Sequence, residues 1–340
     1  MCAHAENACR ARGAVSTIGT GDLVCERADM HKTITEAKPS SWVGRVPHLK
    51  PGKYADGLPL HEIHYLCCKL VLKPNHFRSR KNLFDFAKVL LGPAKQNDVS
   101  FSIGAFKDEP IQIREVLFVD TSDSRLYKNA FILRRRIRYE EGFPISDPEI
   151  VFKFRHPDMQ KAAEADVRPQ ILGDHRVKFK CQVLPLKGEL GGVRMLFSHN
   201  VTFPRSNVSE NDVLSMATMT KIFPVLDRVK KDPNERVALV SDTIIEEVLQ
   251  DIGTLDFGDG VRAKCNVGLW RTRGEHRPLI GEFSFQIKFK NRKKLSPDAM
   301  KRFEAFFIEL QYAAQDWIAL DATKTGVVYR LKGNAATAHE

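Results

Sequence analysis

Arginine and lysine side chains repeated at every second position are the groups in this chain best placed to do chemistry, and what they suit is the binding of an anion. In residues 116–138, VLFVDTSDSRLYKNAFILRRRIR, an extended backbone puts Ile132, Arg134, Arg136 and Arg138 on one face. Phe131, Leu133, Ile137 and Tyr139 fall on the other, with Arg135 out of phase. Alternate residues of a strand lie roughly 6.8 Å apart. Two guanidinium charges at that separation repel by about 2 kcal/mol at an effective dielectric near 20. A row of three therefore requires water or an anion in front of it.

The alternation recurs. Lys153 and Arg155 oppose Ile150, Phe152 and Phe154, and Arg176, Lys178 and Lys180 oppose Val177, Phe179, Cys181 and Val183. Arg262, Lys264 and Asn266 oppose Ala263, Cys265 and Val267. Glu282, Ser284, Gln286, Lys288 and Lys290 oppose Phe283, Phe285, Ile287 and Phe289. A sheet built from these strands has one apolar and one basic face. An antiparallel sheet normally shows water a mixed polar face, so the excess of one sign is the informative part; a plain solvated outer face is the alternative.

Several elements must position these strands. Residues 61–72 read as a strand and 78–91 as a helix with Leu83, Phe84, Ala87, Leu90 and Leu91 on one side, stopped by Pro93. Residues 157–167 read as a helix. Ser209 is expected to cap a helix carrying Leu214, Met216, Met219, Ile222 and Phe223, ended or kinked by Pro224. Residues 242–252 read as a short helix, 261–270 and 279–290 as a hairpin, and Ser296-Pro297 opens a long amphipathic helix to residue 316. The pattern is α+β, with many antiparallel strands and helices packed on one side. Residues 1–55 carry little periodicity and read as a poorly ordered lead-in, 56–333 as the folded domain, and 334–340 as a flexible tail.

The net charge of +11 favours acidic partners such as phosphates, nucleic acid or an anionic surface. No apolar run approaches the roughly 18 residues that span a bilayer, and the N-terminus has no apolar signal segment. Seven cysteines without regular spacing fit a reducing compartment, so a cytoplasmic location is expected and membrane association is not.

Phe118-Val119-Asp120-Thr121, Leu133-Arg134-Arg135-Arg136 and Val151-Phe152-Lys153-Phe154-Arg155 together resemble the CYTH or triphosphate-tunnel superfamily. Its members carry a strand with E-x-E-x-K, then a Y-F-D-T segment, then a strand ending in L-R-x-R. The resemblance spans roughly residues 58–330. It implies an eight-stranded antiparallel barrel with its charged face inward and helices outside, binding an organic or inorganic tri- or polyphosphate. Arg134, Arg136, Lys153 and Lys288 are then the implied anion ligands, seconded by Arg138, Arg155 and Lys178. The family hydrolyses phosphates with Mg²⁺ or Mn²⁺ held by paired glutamates, oxygen ligands that suit hard cations. Glu62 and Glu282 are the implied metal ligands here, with His64 as a further ligand or base. The pattern departs from the family at Glu62-Ile63-His64-Tyr65-Leu66, where His64 stands at the second glutamate and Leu66 at the lysine; Ser284 and Gln286 thin the last acidic strand.

Two rival readings stand beside this one. RNA could lie on an open basic face, although single-strand binders stack bases on aromatics sharing that face, whereas here the aromatics alternate away from it. A non-catalytic protein-interaction module on the same fold is the other. A zinc site at His61, His64, Cys67 and Cys68 is disfavoured because neighbours in a strand point to opposite faces.

Overall fold

The computed structural model describes residues 46–209, 214–232 and 234–333, within one unit, Ser41–Glu340. The expectations for residues 1–45, with Cys2, Cys9 and Cys25, and for 334–340 lie outside the described residues. The packed chain begins before residue 56, since Val46 and Tyr54 are buried in the main core.

Alternation of apolar and polar residues gives each long strand two unlike faces, and the sheet buries both by closing on itself. The strands are β1 (Tyr65–Leu72), β2 (Ser100–Ser102), β3 (Gln112–Asp120), β4 (Phe131–Glu140), β5 (Phe143–Pro144) and β6 (Glu149–His156). They continue with β7 (Arg176–Pro185), β8 (Val193–Pro204), β9 (Ala238–Leu239), β10 (Ile245–Asp256), β11 (Arg262–Thr272) and β12 (Pro278–Lys288). Pairing runs β10-β11-β12-β1-β7-β8-β6-β4-β3, and β3 returns to β10, so nine strands form a closed ring. A ring of alternating strand directions needs an even number of members. Nine strands therefore force one parallel junction, and it falls between β1 and β7, where Tyr65 sits opposite Lys180. Every other junction of the ring is antiparallel. The expected barrel is present, with one more strand and one parallel pairing.

The stretch expected as a helix at 242–252 is instead the start of β10. Ile245, Val248, Leu249 and Ile252 satisfy helical spacing on paper. The segment nevertheless pairs with β11 on one side and β3 on the other, and such pairing outranks local periodicity. A bulge interrupts β10 between Asp251 and Gly253. Gly253 adopts φ +153, and a Cβ there would come within 2.7 Å of the Ser102 carbonyl oxygen on β2, so only glycine fits.

The helices are α1 (Arg80–Val89), α2 (Leu91–Gln96), α3 (Arg125–Lys128), α4 (Met159–Glu164), α5 (Met216–Ile222), α6 (Pro297–Ala313) and α7 (Lys324–Tyr329); α1, α2, α4, α5 and α6 pack on the outer face, and α7 packs at one end of the barrel. Pro93 lies in the first turn of α2, where its missing N–H is not needed, rather than beyond the helix. Ser215, not Ser209, caps α5, accepting from the Ala217 N–H, and Pro224 follows its end. Ser296 caps α6 in front of Pro297. Phe152, Phe154, Phe283, Phe285 and Phe289 all join the core beneath the helices, as their alternation predicts. Phe285 packs edge-on against Phe303, Phe306 and Phe307 of α6, and Phe152 stacks on Phe223 at 4.1 Å. Phe285→Ala should lower unfolding free energy by about 3–5 kcal/mol, because a buried ring leaves a cavity that the neighbours fill only in part. Chemical denaturation checks this, and a loss under about 1 kcal/mol would mean that α6 repacks freely.

Candidate functional site

The inward faces are polar, and the register says where. On β1, Leu66, Cys68, Leu70 and Leu72 belong to the outer core, while Lys69 and Val71 line the lumen. The same alternation brings in Arg114 on β3, Arg134 and Arg136 on β4, Lys153 and Arg155 on β6, Glu247 and Asp251 on β10, Lys264 on β11 and Glu282 on β12. Lys324, at the start of α7, reaches in from one end. The cavity holds about 470 Å³ and is lined by eight lysine and arginine side chains against three carboxylates.

One end is stopped by apolar residues. Val71, Val116, Phe118, Ile132, Ile245, Trp270 and Ile280, the inward residues at that end, pack with Val328 and Tyr329 of α7. The polar part begins one layer further along each strand.

The carboxylates are tied to particular cations. Lys324 Nζ lies 3.0 Å from Glu247 Oε1 and 3.0 Å from Glu282 Oε1. Lys69 Nζ lies 3.2 Å from Glu282 Oε2, and Trp270 Nε1 donates to Glu247 Oε1 at 2.7 Å. Arg114 approaches Glu247 at 3.5 Å, and Lys264 holds Asp251 at 2.7 Å. Burial opposes ionisation of Glu247 and Glu282. Lys324 with Arg114 for the first, and Lys324 with Lys69 for the second, nevertheless hold both below the ordinary carboxylate range.

Arg134 and Lys153 stand apart from this network. Among the described residues neither makes a hydrogen bond or ion pair, and Arg134 Nε is buried without a partner. Burial, then the Arg136 charge, pushes the Arg134 guanidinium down to about 10. Burial, then Arg134 and Arg155, pushes the Lys153 ammonium well below its ordinary value. Arg136 is also lowered by burial, although it donates to Glu149 at 2.7 Å.

The structure thus brings Arg134, Arg136, Lys153, Arg155 and Glu282 together in the lumen. Arg138 lies outside that lining, 3.6 Å from Glu149, beside a second cavity with Tyr139 and Arg273. Lys178 is half-buried over the Tyr65 ring, near Lys288, which is exposed at the end of β12 opposite the apolar stop. Glu62 and His64 are not brought to Glu282. Val71 is the register partner of Glu282, whereas Glu62 lies nine residues upstream of Val71, ahead of the start of β1 at Tyr65. Glu62 borders a different cavity with His48, Lys290 and Arg292, and His64 only extends the backbone pairing of β1. His61, separately, meets Tyr54 at 2.9 Å and His199 at 3.1 Å in the outer core. Out-of-phase Arg135 faces Glu115 of β3 at 3.9 Å.

Glu62 and Glu282 therefore cannot form a metal-binding pair; the lumen carboxylate facing Glu282 is Glu247, and a lysine ammonium already bridges the two. Among the described residues no cluster of three or more His, Cys, Asp or Glu is suited to a metal ion. Glu247, Lys69, Arg114 and Lys324 were absent from the sequence-based site. The first was hidden by the helical reading of 242–252, and Lys69 by a motif alignment set three residues too early, starting ahead of β1. Among the described residues no helix is long and apolar enough to cross a membrane.

No family model matches the chain, and no curated protein does. Solved structures are similar to it at low identity. HpAC1 from Hippeastrum, a candidate adenylyl cyclase described as revealing a dominant triphosphatase activity, aligns at 13% identity and TM-score 0.38, over 82% of this chain and 100% of its own. A candidate adenylate cyclase from Bacillus halodurans aligns at 10% identity and TM-score 0.33, over 77% and 95%. The PH1819 protein of Pyrococcus horikoshii aligns at 12% identity and TM-score 0.26, over 71% and 89%.

Lys180 gives the lumen a signature in pH. Burial, with Lys178, Lys69 and Arg134 nearby, pushes its ammonium down to about 8, and its Nζ donates to Gln286 at 2.7 Å. An unfolded chain keeps a lysine near 10.4. Between those values the unfolded state holds a proton that the folded state has released, so stability should rise with pH from about 8 to about 10. Lys180→Met should remove up to about 3 kcal/mol of that rise. Denaturant midpoints across the alkaline range decide it; an equal slope in the variant would assign the rise to other groups.

Proposed function

We propose that the barrel is a receptor for tri- or polyphosphate, organic or inorganic, with Arg134, Arg136, Lys153 and Arg155 as its anion-binding side chains. The observation that carries this is the pair Arg134 and Lys153: lumen-lining cations, each largely shielded from water and without a hydrogen bond or ion pair among the described residues, with Arg134 Nε fully buried. An unpaired buried charge costs several kcal/mol. A chain of phosphate oxygens would satisfy it with charge-assisted hydrogen bonds. Several cations arrayed along one cavity suit a ligand with several linked phosphates better than a single phosphate. The D-T and L-R-x-R motifs support the same ligand class.

Arg138, Lys178 and Lys288 fit the entrance better than the binding site, since they lie toward the end opposite the apolar stop and are more exposed. Hydrolysis of the bound phosphate would be a further step, and the lumen residues that could place water for it are Glu247, Glu282 and Asp251. Single-stranded nucleic acid is a poorer fit. Base stacking needs aromatic faces along the basic groove. Trp270 is the lone aromatic lining residue among those described, and its ring is occupied by Lys324 at 4.6 Å.

Each of Arg134→Ala and Lys153→Met should weaken tripolyphosphate binding about tenfold to a hundredfold, as expected for loss of one or two charge-assisted bonds. Neither variant should lose stability without ligand, because each removes a buried repulsion. Calorimetric titration beside thermal unfolding checks both halves. Unchanged affinity in the folded double variant would remove these residues from any phosphate site.

A further inference from the structure

Lys324 occupies a place that calls for explanation. It is contributed by α7, downstream of the last barrel strand, and its Nζ sits between Glu247 of β10 and Glu282 of β12 at 3.0 Å from each. It also lies over the Trp270 ring. Two carboxylates one strand apart on the same wall of the cavity, close enough to share one ammonium, are the donors that a divalent cation would seek, because hard ions prefer oxygen. Here that space is filled by an ammonium on a docked helix. Thr323 caps α7, Tyr329 stacks on Tyr127 at 3.9 Å and hydrogen-bonds Asp120, and Val328 is fully buried. The remaining lumen carboxylate, Asp251, is engaged by Lys264 and Gln112.

We propose that Lys324 is a built-in substitute for a divalent metal: its ammonium holds Glu247 and Glu282 together, closes them to metal, and lets the tunnel bind polyphosphate without a divalent ion. This rests on the polyphosphate reading above for its ligand, but the claim about the two carboxylates does not. A tethered ammonium costs no search for a metal; it carries half the charge of a divalent ion, and Lys69 at Glu282 with Arg114 at Glu247 supplies the rest. It cannot be drawn off by the ligand, whereas a free Mg²⁺ is chelated by polyphosphate in solution. The arrangement also makes α7 a specificity element, since whatever unseats it exposes a carboxylate pair to metal.

The test uses the full chain, with Mn²⁺ followed by its paramagnetic resonance signal and tripolyphosphate by calorimetry. Wild type should show no Mn²⁺ site at millimolar concentration, and its tripolyphosphate affinity in chelator should at least equal that in Mg²⁺. Lys324→Met, which keeps the side-chain stem, should gain a Mn²⁺ site, and adding Glu247→Gln should abolish it. A Mn²⁺ site in wild type that Glu247→Gln removes would overturn the proposal. So would a gain in wild-type tripolyphosphate affinity of about tenfold or more on adding Mg²⁺ or Mn²⁺, about 1.4 kcal/mol, or a folded Lys324→Met protein that gains no site. If Lys324→Met fails to fold, the wild-type measurements decide alone. Absence of tripolyphosphate binding in every condition would sink the polyphosphate reading, while the Mn²⁺ measurements would still judge the role of Lys324.

Discussion

Mutual repulsion among cations inside a closed barrel is the constraint that the rest of this structure answers to. Eight basic side chains share a cavity of about 470 Å³ with three carboxylates. At an effective dielectric near 20, each like-charged pair a few ångströms apart costs about 2–4 kcal/mol. Stability has to come from elsewhere, and the outer face supplies it. The phenylalanines that alternate with the lumen cations are fully or nearly fully buried beneath α5 and α6, each worth about 1.5–3 kcal/mol of burial. The same strand therefore carries the destabilising functional face and the stabilising structural one. The carboxylates limit the damage locally through Lys69, Arg114, Lys264 and Lys324, while Arg134 and Lys153 make no ion pair among the described residues.

The aspartate of the D-T motif connects the two ends of the chain. Asp120 accepts from the backbone N–H groups of Thr121, Leu126 and Tyr127 and from the Tyr329 phenol, each within 3.0 Å. Burial pushes its carboxyl above the ordinary carboxylate range, toward the neutral form, and these four donors act against that. One buried side chain thus fixes the turn into α3 and the seat of α7. Through α7 it fixes the position of Lys324 and with it the spacing of Glu247 and Glu282. The D-T motif thus works here as an anchor for the elements that shape the site.

The sequence made the barrel legible wherever the two faces of a strand differ in kind. Arg134 and Arg136 against Leu133 and Phe131, Lys153 against Phe152, and Glu282 against Phe283 all pointed inward or outward as the alternation requires. The reading failed where the faces are alike. In β10, Ile245, Glu247, Leu249 and Asp251 mix apolar and acidic groups on the inner face, so the period of two was masked and a helix was favoured. In β1, Cys67, Lys69 and Val71 dilute the charge to one residue, and nearby Glu62 and His64 drew the motif upstream. Lys324 carried no pattern at all; only the docking of α7 brings it to the cavity. The strand count was equally out of reach, because β11 and β12 read as an ordinary hairpin whichever ring they close.

The β1 strand has a consequence for how the molecule is made. Its two neighbours are β7, in parallel, and β12, neither adjacent in sequence. Closure of the ring waits for β12, which ends at Lys288, 216 residues after the end of β1 at Leu72. At roughly 5–20 residues per second of synthesis, β1 spends on the order of 10–40 s with at least one edge bare. Its outer face, Leu66, Cys68, Leu70 and Leu72, is bare with it. Contacts this distant in sequence also slow folding once the chain is complete. The barrel is therefore a protein for which the ribosome sets the pace, and whose first strand is its greatest hazard until its last is finished.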